Sequence, residues 1–348
     1  MTAASAPGRV NLIGEHTDHS GGYVLPVAIP LRVAVEVTRR PERAIRASSA
    51  AFDDGRWQEV RPGERTGRWT DLIGGVAEAL DVDIGLDVRI ASEIPTGAGL
   101  GSSGALGVAL VRALRDELGL ALDDVEIAKL AHRAEHEGTG VRSGIMDQFA
   151  ASLGREDEAL FIDCRSLAFE RIRMPQAFEI AVVDSGQRHR HASGAYNERR
   201  RECEEAARLL GVEQLRDIGP GELDRVLALP EPLARRARHV VTENARVVYA
   251  VVALRTADPA ALGSLIDASH RSLRDDFDVS TPEVDLLVEL AREQEGVQGA
   301  RIHGGGFGGS IVALADEGAG HQAAARAVAE YQERTGLGAR VLLPALAL

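Results

Sequence analysis

Residues 8–18 read Gly8-Arg-Val-Asn-Leu-Ile-Gly-Glu-His-Thr-Asp18, and this stretch is the most informative one in the chain. It brings together the cationic Arg9, the carboxylates of Glu15 and Asp18, and the imidazole of His16. Carboxylates and imidazoles form several directional hydrogen bonds, so they suit a ligand that carries many hydroxyl groups. A solvated loop explains the same residues equally well, and the stretch alone leaves both interpretations open.

A second informative stretch is the glycine-serine loop Gly97-Ala-Gly-Leu-Gly-Ser-Ser-Gly104, which follows a strand pattern and opens a helical pattern. Backbone N–H groups and a helix N-terminus converge on anions at such a place, so phosphate binding is natural there. A tight turn with Ser102 or Ser103 as the N-cap is an equally good alternative. The loop lacks the Lys-Ser/Thr pair of a P-loop, and Ser102 stands where a dinucleotide fingerprint needs glycine.

A third glycine-rich stretch, Gly304-Gly-Gly-Phe-Gly-Gly309, satisfies G-x-G-x-x-G but is followed by a strand pattern from Ser310. The dinucleotide motif must open a helix, so this match is spurious. A hairpin turn rich in positive φ angles is the favoured interpretation. The stretch becomes functional only if its backbone lies close to a ligand or to the 97–104 loop.

The composition sets broad limits on domains and partners. A chain of 348 residues favours two domains, and the net charge of −13 disfavours nucleic acid and anionic membranes as partners. Only two cysteines occur, outside any C-x-x-C pair, so neither a zinc site nor a disulfide framework is predicted. Without a signal-peptide pattern or a long apolar run, we expect a cytoplasmic protein, and we expect it to be a monomer.

Periodicity gives a coarse map of the elements. Leu31, Val33, Val35 and Val37 alternate with polar residues as in a half-buried strand. Further on, the patterns predict a helix from Leu106 that ends at Gly119, and then these elements: a helix from Asp123 or Asp124 to about 137, a helix over 145–153 closed by Gly154, a strand over 179–183, mostly helices over 196–295, and short strands over 300–303, 310–315 and 340–343.

Four ordered signatures together resemble the galactokinase branch of the GHMP small-molecule kinases. They are Gly8–Asp18, Pro95–Ser103, Gly144-Ile-Met-Asp-Gln-Phe149 and His303–Gly309. The resemblance implies a two-domain α+β fold. A domain like the second domain of ribosomal protein S5 would occupy 1–170, and a ferredoxin-like domain would occupy 171–348.

The same resemblance implies an ATP-dependent kinase that phosphorylates the anomeric hydroxyl of galactose or a galacto-configured sugar. Asp147 would be the catalytic carboxylate and Arg9 its cationic partner. Phosphoryl transfer needs a positioned hydroxyl, a proton acceptor and neutralised phosphate charge, which this pair can supply. Simple capping of a helix N-terminus is the alternative role for Asp147. Sugar and ATP would meet in a cleft between the domains.

The remaining site residues also come from the resemblance. The sugar would be held by Glu15, His16, Asp18, Gly144 and Tyr196. The ATP phosphates would be bound by Gly97, Gly99, Leu100, Gly101, Ser102 and Ser103, with Trp69 stacked on adenine. Magnesium would be held by Ser103 and Glu135. A structural aromatic at Tyr196, a solvated glutamate at Glu135 and a buried anchor at Trp69 are the competing interpretations.

Some positions depart from the family pattern. His19 stands where a tyrosine is usual, Gly101 where serine is common and Gly104 where alanine is common. His19 leaves the preferred sugar open, so a 1-kinase for arabinose, galacturonate, an amino sugar or a longer-chain sugar is an alternative. A catalytically silent sensor of sugar and ATP is a second alternative.

Overall fold

A computed structural model describes residues 1–187 and 192–347 of the chain. The chain forms two compact units. Unit 1 comprises Met1–Arg9, Ala28–Thr96 and Leu100–Arg155, and unit 2 comprises Val10–Val27, Gly97–Gly99 and Glu156–Leu348. These units are defined by packing, and the domains 1–170 and 171–348 stay a prediction.

The strands of unit 1 follow the predicted alternation. In β3, the side chains of Val33, Val35 and Val37 are buried while those of Glu36 and Thr38 are exposed, because successive side chains of a strand point to opposite faces. The strand β3 is antiparallel to β6, β6 is parallel to β4, and β4 is antiparallel to β5. The bounds are β1 Thr2–Asn11, β3 Pro26–Arg40, β4 Ile45–Ser49, β5 Gln58–Val60 and β6 Gly85–Ser92.

Four helices complete unit 1: α1 Asp71–Ala79, α2 Ser102–Leu118, α3 Asp124–Thr139 and α4 Met146–Leu153. The helix α3 begins with a capping box in which Asp123 accepts from the Glu126 N–H and Glu126 accepts from the Asp123 N–H. Gly119 and Gly154 end α2 and α4 as predicted. The N-cap of α2 is Gly101, so the expectation of Ser102 or Ser103 at that position is wrong.

Unit 2 contains a four-stranded sheet of order β10-β11-β9-β12. Outside that sheet, β7 pairs with β2, with β8 and, through Val27 and Ala159, with β3. The bounds are β2 Tyr23–Val24, β7 Glu158–Asp163, β8 Phe169–Arg173, β9 Phe178–Asp184, β10 Val297–His303, β11 Ser310–Asp316 and β12 Arg340–Ala347, with helices α5 Ala192–Leu210, α6 Leu223–Leu227, α7 Leu233–Arg255, α8 Pro259–Asp275, α9 Pro282–Arg292 and α10 Gly320–Thr335.

The core of unit 2 lies between the four-stranded sheet and the helices. Val183 of β9, Ile302 of β10 and Phe277 after α8 are all buried in one apolar cluster. Full burial of a side chain of this size contributes about 1.5–3 kcal/mol, so the cluster fixes how the helices lie on the sheet. The predicted strands over 179–183, 300–303, 310–315 and 340–343 all lie in this sheet.

The turn Gly304–Gly309 joins β10 and β11, which pair antiparallel with His303 opposite Ser310. The predicted hairpin is therefore present. Its first residue, Gly304, packs against the glycine-serine loop, since a Cβ built on Gly304 would lie 3.3 Å from Cα of Gly99. Ser310 Oγ donates a hydrogen bond of 2.7 Å to the Ala98 carbonyl. The hairpin thus lies close to the first glycine loop, which was the condition for its having a role beyond a turn.

Candidate active site

Arg9 and Asp147 form an ion pair in unit 1. Arg9 comes from β1, and Asp147 is the second residue of α4. The Arg9 Nε donates to Asp147 Oδ1 at 2.8 Å, and the Arg9 Nη2 lies 2.7 Å from the same oxygen. The Asp147 side chain keeps 24% of its exposure while Arg9 keeps 7%. The pair thus combines a shielded cation with a carboxylate that a ligand can reach.

The glycine-serine loop packs directly against this pair. The Arg9 N–H donates to the Leu100 carbonyl at 3.0 Å. A Cβ on Gly101 would lie 3.1 Å from Arg9 Cγ, and a Cβ on Gly104 would lie 2.8 Å from Asp147 Cβ. The two glycines that depart from the family pattern therefore line the Arg9–Asp147 pair.

The loop itself has a backbone suited to an anion. Gly97, Gly99 and Gly101 have φ angles of 74°, 75° and 72°, which glycine adopts at little cost. A glycine N-cap has no side-chain oxygen to accept from the first-turn N–H groups of α2, so these donors are available to a ligand. Ser102 is half-buried and Ser103 is exposed in the same turn.

Glu135 lies near the end of α3 and is buried. Its Oε2 accepts hydrogen bonds from Ser143 Oγ at 2.8 Å and from Gln148 Nε2 at 2.9 Å. Gln148 follows Asp147 in the chain, and Gly144 follows Ser143. Glu135 is therefore not a solvated surface glutamate, because it holds the segment that carries Gly144 and Asp147.

Two histidines of α3 add to this support. The Nε2 atoms of His132 and His136 lie 3.1 Å and 2.7 Å from the Ser143 carbonyl oxygen, so both donate to it. Their rings lie 4.1 Å apart. Sequence reasoning missed His132, His136 and Gln148. Their spacing on one helix face was the available signal, but the shared acceptor becomes visible only in the fold.

Trp69 lies in the segment that precedes α1. Its ring is half-buried and stacks on Phe52 at a centroid distance of 5.3 Å and an interplanar angle of 11°. Phe52 thus covers part of Trp69, and its predicted role with adenine stays a prediction.

Glu15 lies at the centre of a buried network in unit 2. Its Oε1 accepts from the Gly304 N–H at 2.9 Å and lies 3.2 Å from Arg301 Nη2 and 3.3 Å from His303 Nδ1. His239 Nε2 donates to the Glu15 backbone oxygen at 3.0 Å. The carboxylate is therefore oriented by partners from β10 and from the glycine turn that follows it.

Arg301 is the main residue that sequence reasoning missed in this network. Its side chain is fully buried and donates to the carbonyls of Leu12, Asn11 and Ile302. Arg301 thus ties β10 to the Gly8–Asp18 stretch. The signal in the sequence was a charged residue inside an apolar strand, since a buried charge requires partners.

His16, His19 and Tyr196 form a ring cluster in unit 2. Ring centroids lie 5.2 Å apart for His16 and Tyr196, 5.9 Å for His19 and Tyr196, and 6.0 Å for the two imidazoles. Phe277 closes one side at 4.6 Å from His16. A Cβ on Gly305 would lie 3.6 Å from Tyr196, so the hairpin also borders the cluster. The Tyr196 prediction was based on residues 191–201. The first residue of that stretch, His191, lies outside the described residues.

Both imidazoles of the cluster have lowered pKa values, which favours their neutral form. Burial lowers the pKa of His16 to about 4, although the Glu15 carboxylate opposes this shift. Burial also lowers the pKa of His19 well below its usual value, and His16 adds to that shift. A neutral imidazole offers one N–H donor and one acceptor, which suits hydroxyl groups.

Asp18 and Gly144 complete the predicted sugar residues. Asp18 is half-buried and opens a short 3-10 helix, Asp18–Ser20, in which its Oδ1 accepts from the His19 N–H at 2.9 Å. Gly144 is buried one residue before the N-cap of α4, Ile145. Glu15, His16, Asp18 and Tyr196 thus belong to unit 2, whereas Gly144, Asp147 and Arg9 belong to unit 1.

In residues 1–187 and 192–347, no group of three or more His, Cys, Asp or Glu side chains could hold a metal ion. In the same residues, no helix is both long and apolar enough to cross a membrane.

Models of three protein families match the chain. The GHMP kinases N terminal domain matches residues 71–155, the GHMP kinases C terminal domain matches 250–333, and the galactokinase galactose-binding signature matches 2–39. A galactokinase of Thermotoga neapolitana is 40% identical over 319 residues, which cover 90% of this chain and 89% of that protein. The chain belongs to the galactokinase branch of the GHMP kinase family.

Further comparisons agree with this family. A galactokinase of Chloroflexus aggregans is 42% identical over 347 residues, which cover 96% of this chain and 88% of that protein. The crystal structure of Lactococcus lactis galactokinase complexed with galactose matches with a TM-score of 0.91 and 31% identity, covering 100% of this chain and 95% of that one. A mevalonate kinase of L. major in complex with R-mevalonate, at 22% identity and a TM-score of 0.68, covers 98% of this chain and 95% of its own and shares the fold.

These findings confirm the predicted family and the two-domain GHMP kinase fold. They also confirm that the chain is an enzyme of the galactokinase type, a sugar 1-phosphotransferase. Because the family consists of kinases, ATP is the substrate that it implies.

Proposed function

We propose that this chain transfers the γ-phosphoryl group of ATP to the anomeric hydroxyl of galactose. The anomeric oxygen forms a bond to the γ-phosphorus while the bond from that phosphorus to the β–γ bridging oxygen breaks. ADP leaves with the electron pair of the broken bond, and the hydroxyl proton passes to a carboxylate of the enzyme. Asp147 is the proposed acceptor of that proton.

The observation that carries this proposal is the packing of the Arg9–Asp147 pair against the glycine-serine loop. Leu100 accepts from the Arg9 N–H, and Gly104 lies against Asp147. An anion bound at the start of α2 would therefore lie beside both the proton acceptor and the guanidinium. A guanidinium in such a place can face the charge that develops on the transferring phosphoryl group, an effect of a few kcal/mol.

The sugar-binding part of the proposal rests on the Glu15 network and the ring cluster. His16 has a φ of 62°, and a left-handed conformation costs a residue with a Cβ about 1–2 kcal/mol. The Gly305 backbone lies close enough to raise the pKa of His16 slightly. Neither ring nitrogen of His16, however, has a well-formed hydrogen bond within residues 1–187 and 192–347. Strain and unpaired buried nitrogens are typical of a ligand site. Hydroxyl groups of a sugar would satisfy these nitrogens.

Magnesium fits the start of α2 by the chemistry of its donors. The helices α2 and α3 pack antiparallel, since Arg112 pairs with Asp124 and Gly107 lies against Ala131. Extended by one turn, this register would bring Ser103 and Glu135 to a similar level. Mg²⁺ keeps most of its waters and takes few protein ligands, so a hydroxyl and a carboxylate suffice beside ATP phosphates. When bound, the ion would neutralise phosphate charge.

The adenine-stacking residue and the individual sugar contacts are also part of the proposal. Trp69 is the candidate for stacking on adenine, and Glu15, His16, Asp18, Gly144 and Tyr196 are the candidates for holding galactose. A cytoplasmic location, a monomeric state and the lack of nucleic-acid and membrane partners are expectations from the sequence.

A sugar panel with phosphorus NMR tests the proposal. ADP release is measured with galactose, arabinose, galacturonate, galactosamine and a no-sugar control, and the product spectrum identifies the phosphorylated position. We expect galactose to give the highest kcat/KM and a phosphate on C1. Preference for another sugar would reject galactose as the substrate, whereas binding without ADP release would favour the sensor alternative.

A further inference from the structure

His19 lies inside the ring cluster but has no role in the proposed chemistry. It follows Asp18 directly and is the middle residue of the short helix Asp18–Ser20. Its ring meets Tyr196 edge-on at 5.9 Å and His16 at 6.0 Å. His19 is therefore placed beside two of the proposed sugar-binding residues.

The orientation of the His19 ring is fixed from one side. Its Nδ1 lies 3.1 Å from Ser20 Oγ, within hydrogen-bond distance. Its Nε2 is buried and has no hydrogen-bond partner within the parts of the chain that the structure describes, 1–187 and 192–347. A buried polar atom without a partner is unfavourable, so a ligand that pairs with it gains that energy back.

The charge state of His19 suits a hydroxyl rather than a carboxylate. Burial, the neighbouring His16 ring and the Arg200 guanidinium all lower the pKa of His19, so the ring stays neutral. When Ser20 donates to Nδ1, the proton sits on Nε2, which then donates, and in the other tautomer Nε2 accepts. A hydroxyl group can satisfy either tautomer because it both donates and accepts.

We propose that His19 is a further sugar-binding and specificity-determining residue, whose Nε2 forms a hydrogen bond with one hydroxyl group of the galactose. This inference rests on the proposed function, because it assigns one more contact within the same site. It predicts that this chain recognises one hydroxyl through an imidazole, at a position where the family pattern has a phenol.

The test couples His19 variants to sugars that lack single hydroxyls. In His19→Phe the ring contacts with His16 and Tyr196 remain while the ring nitrogens are lost, and in His19→Gln an amide keeps the hydrogen-bonding capacity. Affinities for galactose and for 2-, 3-, 4- and 6-deoxygalactose are measured by calorimetry, and kcat and KM by ADP release. The exposed His321→Phe is the matched control.

For galactose we expect His19→Phe to weaken binding and raise KM by about 5- to 20-fold with kcat changed less than about twofold, since a lost neutral hydrogen bond changes affinity by about this factor. One deoxygalactose should bind the wild-type protein and His19→Phe equally well, because the partner hydroxyl is already absent. His19→Gln should recover part of the galactose affinity.

An equal loss for galactose and for all four deoxy sugars would overturn the proposal, as would an unchanged galactose affinity in His19→Phe. Thermal unfolding of each variant separates either result from misfolding. The calorimetric arm does not require turnover, so a wild-type protein that binds galactose without phosphorylating it would reject the proposed function while still testing His19.

Discussion

Arg9 directs two of its nitrogens, Nε and Nη2, to one oxygen of Asp147, at 2.8 Å and 2.7 Å. Two guanidinium nitrogens thus converge on a single carboxylate oxygen. Because both nitrogens share that oxygen, the carboxylate is held in one orientation, as a proton acceptor for a bound hydroxyl requires.

Replacing this carboxylate by an amide is the first test of the proposed mechanism. In Asp147→Asn we expect turnover to fall by at least about 10²-fold, because the amide cannot accept the hydroxyl proton. ATP binding should stay nearly intact, since the glycine-serine loop is unchanged. ADP release measures the first quantity and calorimetry the second. Near-normal turnover would remove Asp147 from the catalytic assignment.

The close approach of Gly104 to Asp147 leads to a second prediction. In Gly104→Ala the new Cβ would lie 2.8 Å from Asp147 Cβ, so one of the two must move. A shift of this kind displaces the carboxylate, but alanine is common at this position of the family pattern, so we expect kcat to fall only by about two- to fivefold, with a smaller change in KM. Steady-state kinetics measure both constants.

The control for this variant is Gly107→Ala in the same helix. Its Cβ would lie 3.3 Å from Ala131 Cβ and meet no catalytic residue, so stability is the only property that it should alter. An equal fall in kcat in both variants would mean that a general disturbance of α2 lowers kcat, and not a displacement of Asp147.

The buried His16 predicts a dependence of stability on pH. Its pKa is lowered to about 4 in the folded protein, whereas an unfolded histidine titrates near 6.5. Between these values the unfolded chain binds a proton that the folded protein does not, so the free energy of unfolding falls as pH falls from about 6.5 to 4. Above that window His16 contributes no pH dependence.

Urea unfolding of the wild-type protein and of His16→Phe near pH 7 and near pH 5 measures this contribution. The phenyl ring keeps the contact with Phe277 but does not titrate. We expect the stability loss on acidification to be smaller in the variant. The lowered pKa of His239 does not depend on His16, so its contribution cancels in the comparison, and His19 loses only the part of its shift that His16 supplies, because burial is the larger cause. Equal losses would contradict the depressed pKa of His16.

Arg301 gives a prediction about stability alone. In Arg301→Met the carbonyls of Leu12 and Asn11 and the Glu15 carboxylate lose a buried partner. Removing one member of such a network costs about 3–5 kcal/mol, because an uncompensated charge stays buried. Chemical denaturation measures the change.

The exposed Arg326→Met is the matched substitution, since Arg326 lies on the surface of α10 and donates to Gln294 Oε1 at 3.1 Å. Surface polar contacts contribute about 0–1 kcal/mol. If both variants lost the same free energy of unfolding, the Arg301 network would stabilise the fold no more than a surface contact does.

Local chemistry explains which features could be predicted from the sequence. Asp123 as an N-cap, Gly119 as a helix end and the alternation of Val33, Val35 and Val37 all depend on neighbours within a few residues, and the structure has each of them. The family signatures also predicted that Arg9 and Asp147 act as partners. Their direct ion pair agrees with that prediction.

Contacts between distant parts of the chain could not be predicted in this way. Arg301 donates to Leu12 across 289 positions of sequence, and no local pattern specifies that acceptor. The N-cap of α2 was also misassigned, because serine is the commoner cap. At Gly101 the close approach of Arg9 and a positive φ favour glycine over the better capping residue.

The contact between Gly99 and Gly304 has an evolutionary consequence. Both positions have a positive φ, 75° at Gly99 and 81° at Gly304, which by itself disfavours a side chain. A Cβ on Gly304 would in addition lie 3.3 Å from the Gly99 Cα, whereas a Cβ on Gly99 would meet its neighbours at ordinary distances of 3.5 Å or more. In a library randomised at both positions, functional clones should therefore retain glycine more strictly at Gly304 than at Gly99.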